Sequence, residues 1–254
     1  MNCPAQTSPD GLGGAHHVRL RMGAPTRLTF LAATMVIGPI AGALALADSA
    51  REHDGVSARI DPRLAVDAVD IRSGPLTAAA RLLTFVGGEM VISVLALLLI
   101  IILLERRGPF FAMCVAVAMA VSASLTVGVK LLVDRARPGA DIRLGPVDST
   151  YSFPSGHTLN SAVFLGLVVI LLVPLLRSRS RRIAATGALA LLAFGIGLSR
   201  IYLGYHWASD IAASWLLATA LLVLVAVANW TWERGHRSPK WSGGDQVGAP
   251  SVTP

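Results

Sequence analysis

The sequence predicts an all-α polytopic membrane protein with six transmembrane helices and both termini in the cytoplasm. Three observations predict it. Of the 254 residues, 54% are hydrophobic and only 15% are charged, too few charges to solvate a globule of this size. The apolar residues gather into runs long enough to cross a hydrocarbon core of ~30 Å at ~1.5 Å per residue. The basic residues fall largely in short segments between those runs, which orients the chain by the positive-inside rule. The net charge of +7 therefore reports topology and gives no support to nucleic-acid binding. Cys3 and Cys114 are too isolated for a disulfide framework or a metal site. No GxGxxG, Walker or zinc signature and no internal repeat is present.

Residues 1–27 are rich in Gly, Pro and polar groups and read as a flexible cytoplasmic tail. His16 and His17 are adjacent and do not share a helix face, so a solvated tail fits them better than a metal site. Residues 28–47 form the first span. Their alternative reading is a signal peptide, because Ala45-Leu46-Ala47 resembles a small-residue cleavage site, but the run is longer than a usual signal core. Residues 48–75 mix charges of both signs. Their first half reads as an external loop, and the spacing of Leu64, Val66, Val69 and Ile71 as a short amphipathic or interfacial segment.

The second span begins between Leu76 and Phe85 and ends at Leu104, before the basic turn Arg106-Arg107. Glu89 lies inside it, either facing a polar cavity or pairing with a neighbouring cation, and we favour the second. The third, fourth, fifth and sixth spans cover about 110–129, 158–176, 183–201 and 209–230. Arg177, Arg179, Arg181 and Arg182 form the strongest basic cluster, placed inside by the same rule. The membrane domain is thus 28–232, followed by a disordered cytoplasmic tail at 233–254.

This topology brings three polar segments to one outer face: Lys130 to Pro138, Pro154 to His157, and Ser199 to Asp210. Lys130, Arg137 and Arg200 are three cations whose grouping is costly unless they bind an anion, and their chemistry suits a phosphate. Ser155 and Gly156 open a helix whose free N–H groups can hold oxyanions. His206 and Asp210 at i, i+4 share a helix face, so the carboxylate can take one imidazole proton and leave the other nitrogen to attack phosphorus. His157 can then serve as acid and base. Each piece also has a structural reading: a turn and helix cap for Pro154 to His157, snorkelling span ends for Lys130 and Arg137, and an interfacial belt for Arg200 to Asp210. Their convergence favours phosphoryl transfer. No carboxylate cluster for a divalent metal is evident, so the expectation is chemistry without a metal or other cofactor.

These segments resemble the signature of the type 2 phosphatidic acid phosphatases, or lipid phosphate phosphatases. That pattern is Lys, six residues, Arg-Pro; then Pro-Ser-Gly-His; then Ser-Arg, five residues, His, three residues, Asp. The chain matches it at Lys130 and Arg137-Pro138, at Pro154 to His157, and at Ser199-Arg200, His206 and Asp210. The resemblance implies a six-helix bundle and a phosphohistidine on His206. It also implies His157 as acid, Asp210 as orienting carboxylate, and Lys130, Arg137, Ser155, Gly156 and Arg200 around the phosphate. The substrate expected is a lipid phosphate or diphosphate of the cell membrane, such as undecaprenyl diphosphate, phosphatidylglycerophosphate or phosphatidic acid, reached from the extracytoplasmic side. A lipid phosphotransferase is the nearest alternative. A transporter would spread ionisable residues through the bilayer depth, and a noncatalytic lipid-binding protein need not retain every catalytic residue. Oligomeric state is not legible.

Overall fold

The computed structural model describes residues 24–52, 55–146 and 149–236. Both terminal tails lie almost entirely outside them, and so do Cys3, His16 and His17. Among the described residues the chain is helical, with no strand. The helices are α1 (Ala24–Glu52), α2 (Gly55–Asp70), α3 (Gly74–Val86), α4 (Glu89–Arg106), α5 (Pro109–Val133), α6 (Gly156–Leu171), α7 (Arg179–Tyr202) and α8 (Ala208–Gly235). A 3-10 turn at Val173–Leu175 follows α6.

Among the described residues five segments, α1, α5, α6 with its following turn, α7 and α8, are long and apolar enough to span. The pair α3 and α4, bent by 46° at Gly87-Gly88, makes up to six. The bend lies just beyond the stretch from Leu76 to Phe85 in which the sequence left the start of the second span open. At its C-terminal end α8 runs to Gly235, slightly beyond the expected limit of 232.

The core explains the arrangement. α6 is the central helix, packed on α5, α7 and α8, while α4 leans on α5 and α1 runs along α8. Leu103, Val115, Leu159, Val163, Leu167 and Ile196 fill the centre and are essentially inaccessible. The outer surface is also apolar: Leu97, Met113, Val127, Leu131 and Leu191 are all exposed. A surface that is apolar all round suits lipid and not water.

α2 corrects the sequence reading of 48–75. The first half of that stretch is helix, not loop, since α1 runs to Glu52 and α2 begins at Gly55. The amphipathic or interfacial reading of the second half agrees with the structure: Leu64, Val66 and Ile71 are all exposed. The buried face is Ser57, Asp61, Ala65 and Ala68, small or polar residues at helical spacing. Small residues let α2 approach α1 and α8 closely, and its apolar residues turn outward as an interfacial helix would place them.

Candidate active site

The C-terminal ends of α5 and α7 and the N-terminal ends of α6 and α8 meet at one end of the bundle, and α2 packs against them there. Arg106, Arg107 and Glu233 mark the other end, where the Arg107 guanidinium donates to Leu171 O and Glu233 Oε1.

His206 sits in the five-residue turn between α7 and α8. The turn closes through Gly204, whose φ of +73° favours glycine and whose absent Cβ would meet Ile142 O at 2.6 Å. From there α8 begins with Trp207 as N-cap and Asp210 at the third helical position. Asp210 Oδ2 accepts from the Trp207 backbone N–H at 2.9 Å and lies 3.3 Å from His206 Nδ1. The Ser152 hydroxyl donates to the same oxygen. On the other side of the ring, Arg137 Nη1 is 3.2 Å from His206 Nε2. A guanidinium only donates and a carboxylate only accepts. The partners therefore fix one tautomer, with the proton on Nδ1 and the lone pair on Nε2. His206 is only 3% exposed. Burial pushes its pKa from the ordinary 6.5 down to about 4; Asp210 opposes the shift, and the Arg200 and Arg137 cations add to it. The imidazole is neutral at neutral pH.

The cations stand around this ring. Arg137 donates from Nη1 to Tyr205 O at 2.8 Å, from Nε to Thr150 O at 2.7 Å, and from Nη2 to Thr150 Oγ1 at 2.9 Å. Lys130, on the last turn of α5, donates to Thr150 Oγ1 at 3.2 Å and to Tyr151 O. Arg200, on the last turn of α7, is buried over the Tyr205 ring at 4.3 Å and donates to Thr84 Oγ1 at 3.1 Å. Thr150 and Tyr205 thus gather Lys130, Arg137 and Arg200 about one turn.

Ser155 is the N-cap of α6 and is wholly buried. Its hydroxyl accepts from Thr158 Oγ1 at 3.0 Å, and its N–H donates to Ser214 Oγ at 3.0 Å. Ser214 in turn donates to Asp210 O at 2.7 Å, tying the start of α6 to the first turns of α8. The residue expected as a direct phosphate donor is therefore seated as a cap in this structure. Gly156 opens the helix, and a Cβ there would lie 3.0 Å from Thr126 Cγ2 and 3.4 Å from Glu89 Oε1. His157 follows on the same turn, half-buried. Glu89 does not pair with a cation among the described residues. It lines a cleft of about 350 Å³ with Ser93, Thr126 and Asn160, which corrects the favoured reading.

Sequence reasoning gave no role to Arg135, Ser152, Ser209 or Asp61. Arg135 Nη1 donates to Asp210 Oδ1 at 2.6 Å, and its Nη2 donates to Asp61 Oδ2 at 2.6 Å. Asp61 also accepts from the Ser209 backbone N–H at 2.9 Å and from its hydroxyl at 2.6 Å. One signal could have exposed Asp61: a lone carboxylate in register with Ser57, Ala65 and Ala68 on the small-residue side of an amphipathic helix.

Residues 111–234 match the family model described as the PAP2 superfamily. Over 101 residues the chain is 33% identical to phosphatidylglycerophosphatase B of Bacillus subtilis (strain 168), covering 38% of this chain and 47% of the relative. Over 87 residues it is 38% identical to phosphatidylglycerophosphatase B of Escherichia coli (strain K12), covering 34% and 31%. The chain thus spans less than half the length of these curated relatives. Its fold is similar to the crystal structure of a transmembrane PAP2-type phosphatidylglycerolphosphate phosphatase from Bacillus subtilis, with a TM-score of 0.69 at 23% identity over 81% of this chain and 100% of that one. It is also similar to Aquifex aeolicus LpxE, with a TM-score of 0.52 at 21% identity over 65% and 93%. The segment that matches the PAP2 superfamily model contains Lys130, Arg137, His157, Arg200, His206 and Asp210, and over it the chain is similar to that family.

Proposed function

We propose that the protein hydrolyses a phosphomonoester or diphosphate of a membrane lipid through a phosphohistidine on His206. The observation that carries this reading is the held tautomer: Nδ1 faces Asp210 at 3.3 Å while Nε2 faces Arg137 at 3.2 Å. The lone pair is aimed at a permanent cation, where a phosphate oxygen would also bind.

In this mechanism the phosphate enters among Lys130, Arg137 and Arg200, and Arg137 exchanges its contact with Nε2 for the phosphate oxygens. Nε2 forms a bond to phosphorus as the bond to the lipid oxygen breaks. Asp210 stabilises the positive charge that the ring then carries. His157 gives its proton to the leaving oxygen. It then takes one from water as the water attacks phosphorus, the Nε2–P bond breaks, and inorganic phosphate departs. The N–H groups at the start of α6, beginning with Gly156, favour the equatorial oxygens through the positive end of the helix.

Phosphatidylglycerophosphate leads the substrate classes, since two relatives are named for its hydrolysis. Undecaprenyl diphosphate and phosphatidic acid offer the same terminal group on an apolar body. The site opens on the extracytoplasmic side in this reading, because the basic residues Arg106, Arg107, Arg179, Arg181 and Arg182 lie toward the opposite ends of the same spans.

The test is phosphate release from a panel of these lipids in detergent with excess chelator. Wild type is expected to release phosphate, and His206→Ala to lose at least about a thousandfold in kcat. Release that persists in the variant would sink the histidine mechanism. No release by folded wild type from any lipid would sink the hydrolase reading.

A further inference from the structure

α8 begins with two carboxylates at its N-terminus, and only one belongs to it. Asp210 accepts from the Trp207 N–H at 2.9 Å, while Asp61, reaching over from α2, accepts from the Ser209 N–H at 2.9 Å. Between them lies Arg135, with one nitrogen 2.6 Å from each carboxylate. All three side chains are removed from water: Asp61 is 2% exposed, Arg135 8% and Asp210 0%. Charges buried to this degree are retained only when they are paired and hydrogen-bonded. Here every partner is present, and the line of contacts ends on His206 Nδ1.

The charge count gives the arrangement its meaning. Asp210 needs its negative charge to stabilise an imidazole that becomes positive when Nε2 carries a phosphoryl group. Arg135 alone would cancel that charge at Oδ1. Asp61 cancels Arg135 instead, so the trio keeps a net charge of −1, located beside His206. The second nitrogen bond and the Ser209 contacts also fix the carboxylate plane of Asp210. This arrangement matches the way a ligand's outer partners set its orientation and basicity.

We propose that Asp61 is a positioning residue for His206, acting through Arg135 and Asp210 to hold that histidine's geometry and to preserve the negative charge beside it. The proposal rests on His206 as the nucleophile. α2 is thereby part of the machinery of the site, although it lies outside the segment shared with the family model.

Several other charged groups lie on the elements around His206. Asp210 is on α8, Arg200 on α7, Lys130 on α5 and His157 on the first turn of α6, while Arg135 and Arg137 lie on the segment between α5 and α6. Asp61 and Arg135 act on the ring from behind Asp210, so changing them alters the field without touching the phosphate cradle.

The experiment uses the full chain in detergent with ¹⁵N-labelled histidine and follows the His206 imidazole by NMR across pH, alongside kcat and KM for the best lipid substrate. Asp61→Asn keeps the shape and the contact with the Ser209 N–H and removes the charge. It should lower the midpoint of the His206 titration by at least about half a pH unit. It should also lower kcat about tenfold and leave KM within about twofold. Arg135→Gln should move the midpoint the other way. The double variant restores the wild-type net charge and should return the midpoint toward its wild-type position, an opposition that loss of packing alone would not produce. If Asp61→Asn fails to fold, Arg135→Gln and the double variant still give the two remaining positions. A midpoint that stays put in every folded variant overturns the proposal. If the midpoint moves as described while wild type hydrolyses no lipid phosphate, the hydrolase reading falls and the positioning role stands.

Discussion

At the residue scale, His206 shows how burial and neighbouring charges divide a task. An ordinary imidazole would be half protonated near pH 6.5, and a protonated ring cannot attack phosphorus. Burial and two cations bring the midpoint to about 4. The acid limb of kcat/KM is therefore expected near pH 4, measured on a phosphate substrate that does not itself titrate there. The same shift has a consequence for stability. Between pH 6.5 and about 4 the unfolded chain binds a proton at this position and the folded chain does not. Stability therefore falls as pH falls through that window, by up to about 3 kcal/mol. Thermal unfolding of wild type and His206→Gln between pH 7 and 4 should show a drop that the variant lacks. The signature residues were legible in sequence because each lies in a short contiguous pattern. Arg135 was not, although it is two residues from Arg137, because what distinguishes it is a carboxylate 74 positions away.

At the scale of elements, hydrophobic runs revealed the spans because length and composition alone decide which segments can cross a bilayer. The external loop expected at the start of 48–75 is a misreading, because mixed charges there hide the helical continuation of α1 and the start of α2. Periodicity does identify the apolar face of α2, but not the small and polar face that makes the packing contacts. Where lipid lies outside, apolar residues gain nothing from facing inward, and small or polar residues can make the contacts. The turn between α7 and α8 also lay beyond sequence pattern. Gly204 is required there both by its φ of +73° and by Ile142 O, which a Cβ would meet at 2.6 Å. Gly204→Ala is expected to cost about 1–3 kcal/mol in detergent melts. Because His206 follows two residues later, the variant should lose kcat more than KM, read from steady-state kinetics.

At the scale of the whole molecule, the bundle separates two chemistries by depth. One end gathers Lys130, Arg137, Arg200, His206 and Asp210, and the other gathers the basic turns at Arg106-Arg107 and Arg179 to Arg182. The segment 139–146 belongs to the first end: Arg72 donates to Ile142 O, and Leu144 N–H donates to Leu203 O at 2.9 Å. A cysteine placed at Asp141 should react with an impermeant maleimide in intact cells, while one at Arg181 should react only after lysis. The reverse pattern overturns the proposed orientation.

The contact between Asp61 and Arg135 also bears on how such a chain can change over evolutionary time. A buried arginine that has lost one of its two carboxylates burdens the fold, and a buried carboxylate that has lost its arginine does the same. Neither can be replaced alone without passing through a poorer protein. The two positions, Asp61 in α2 and Arg135 between α5 and α6, are therefore expected to change together, and related chains in which one varies freely while the other is kept would contradict this.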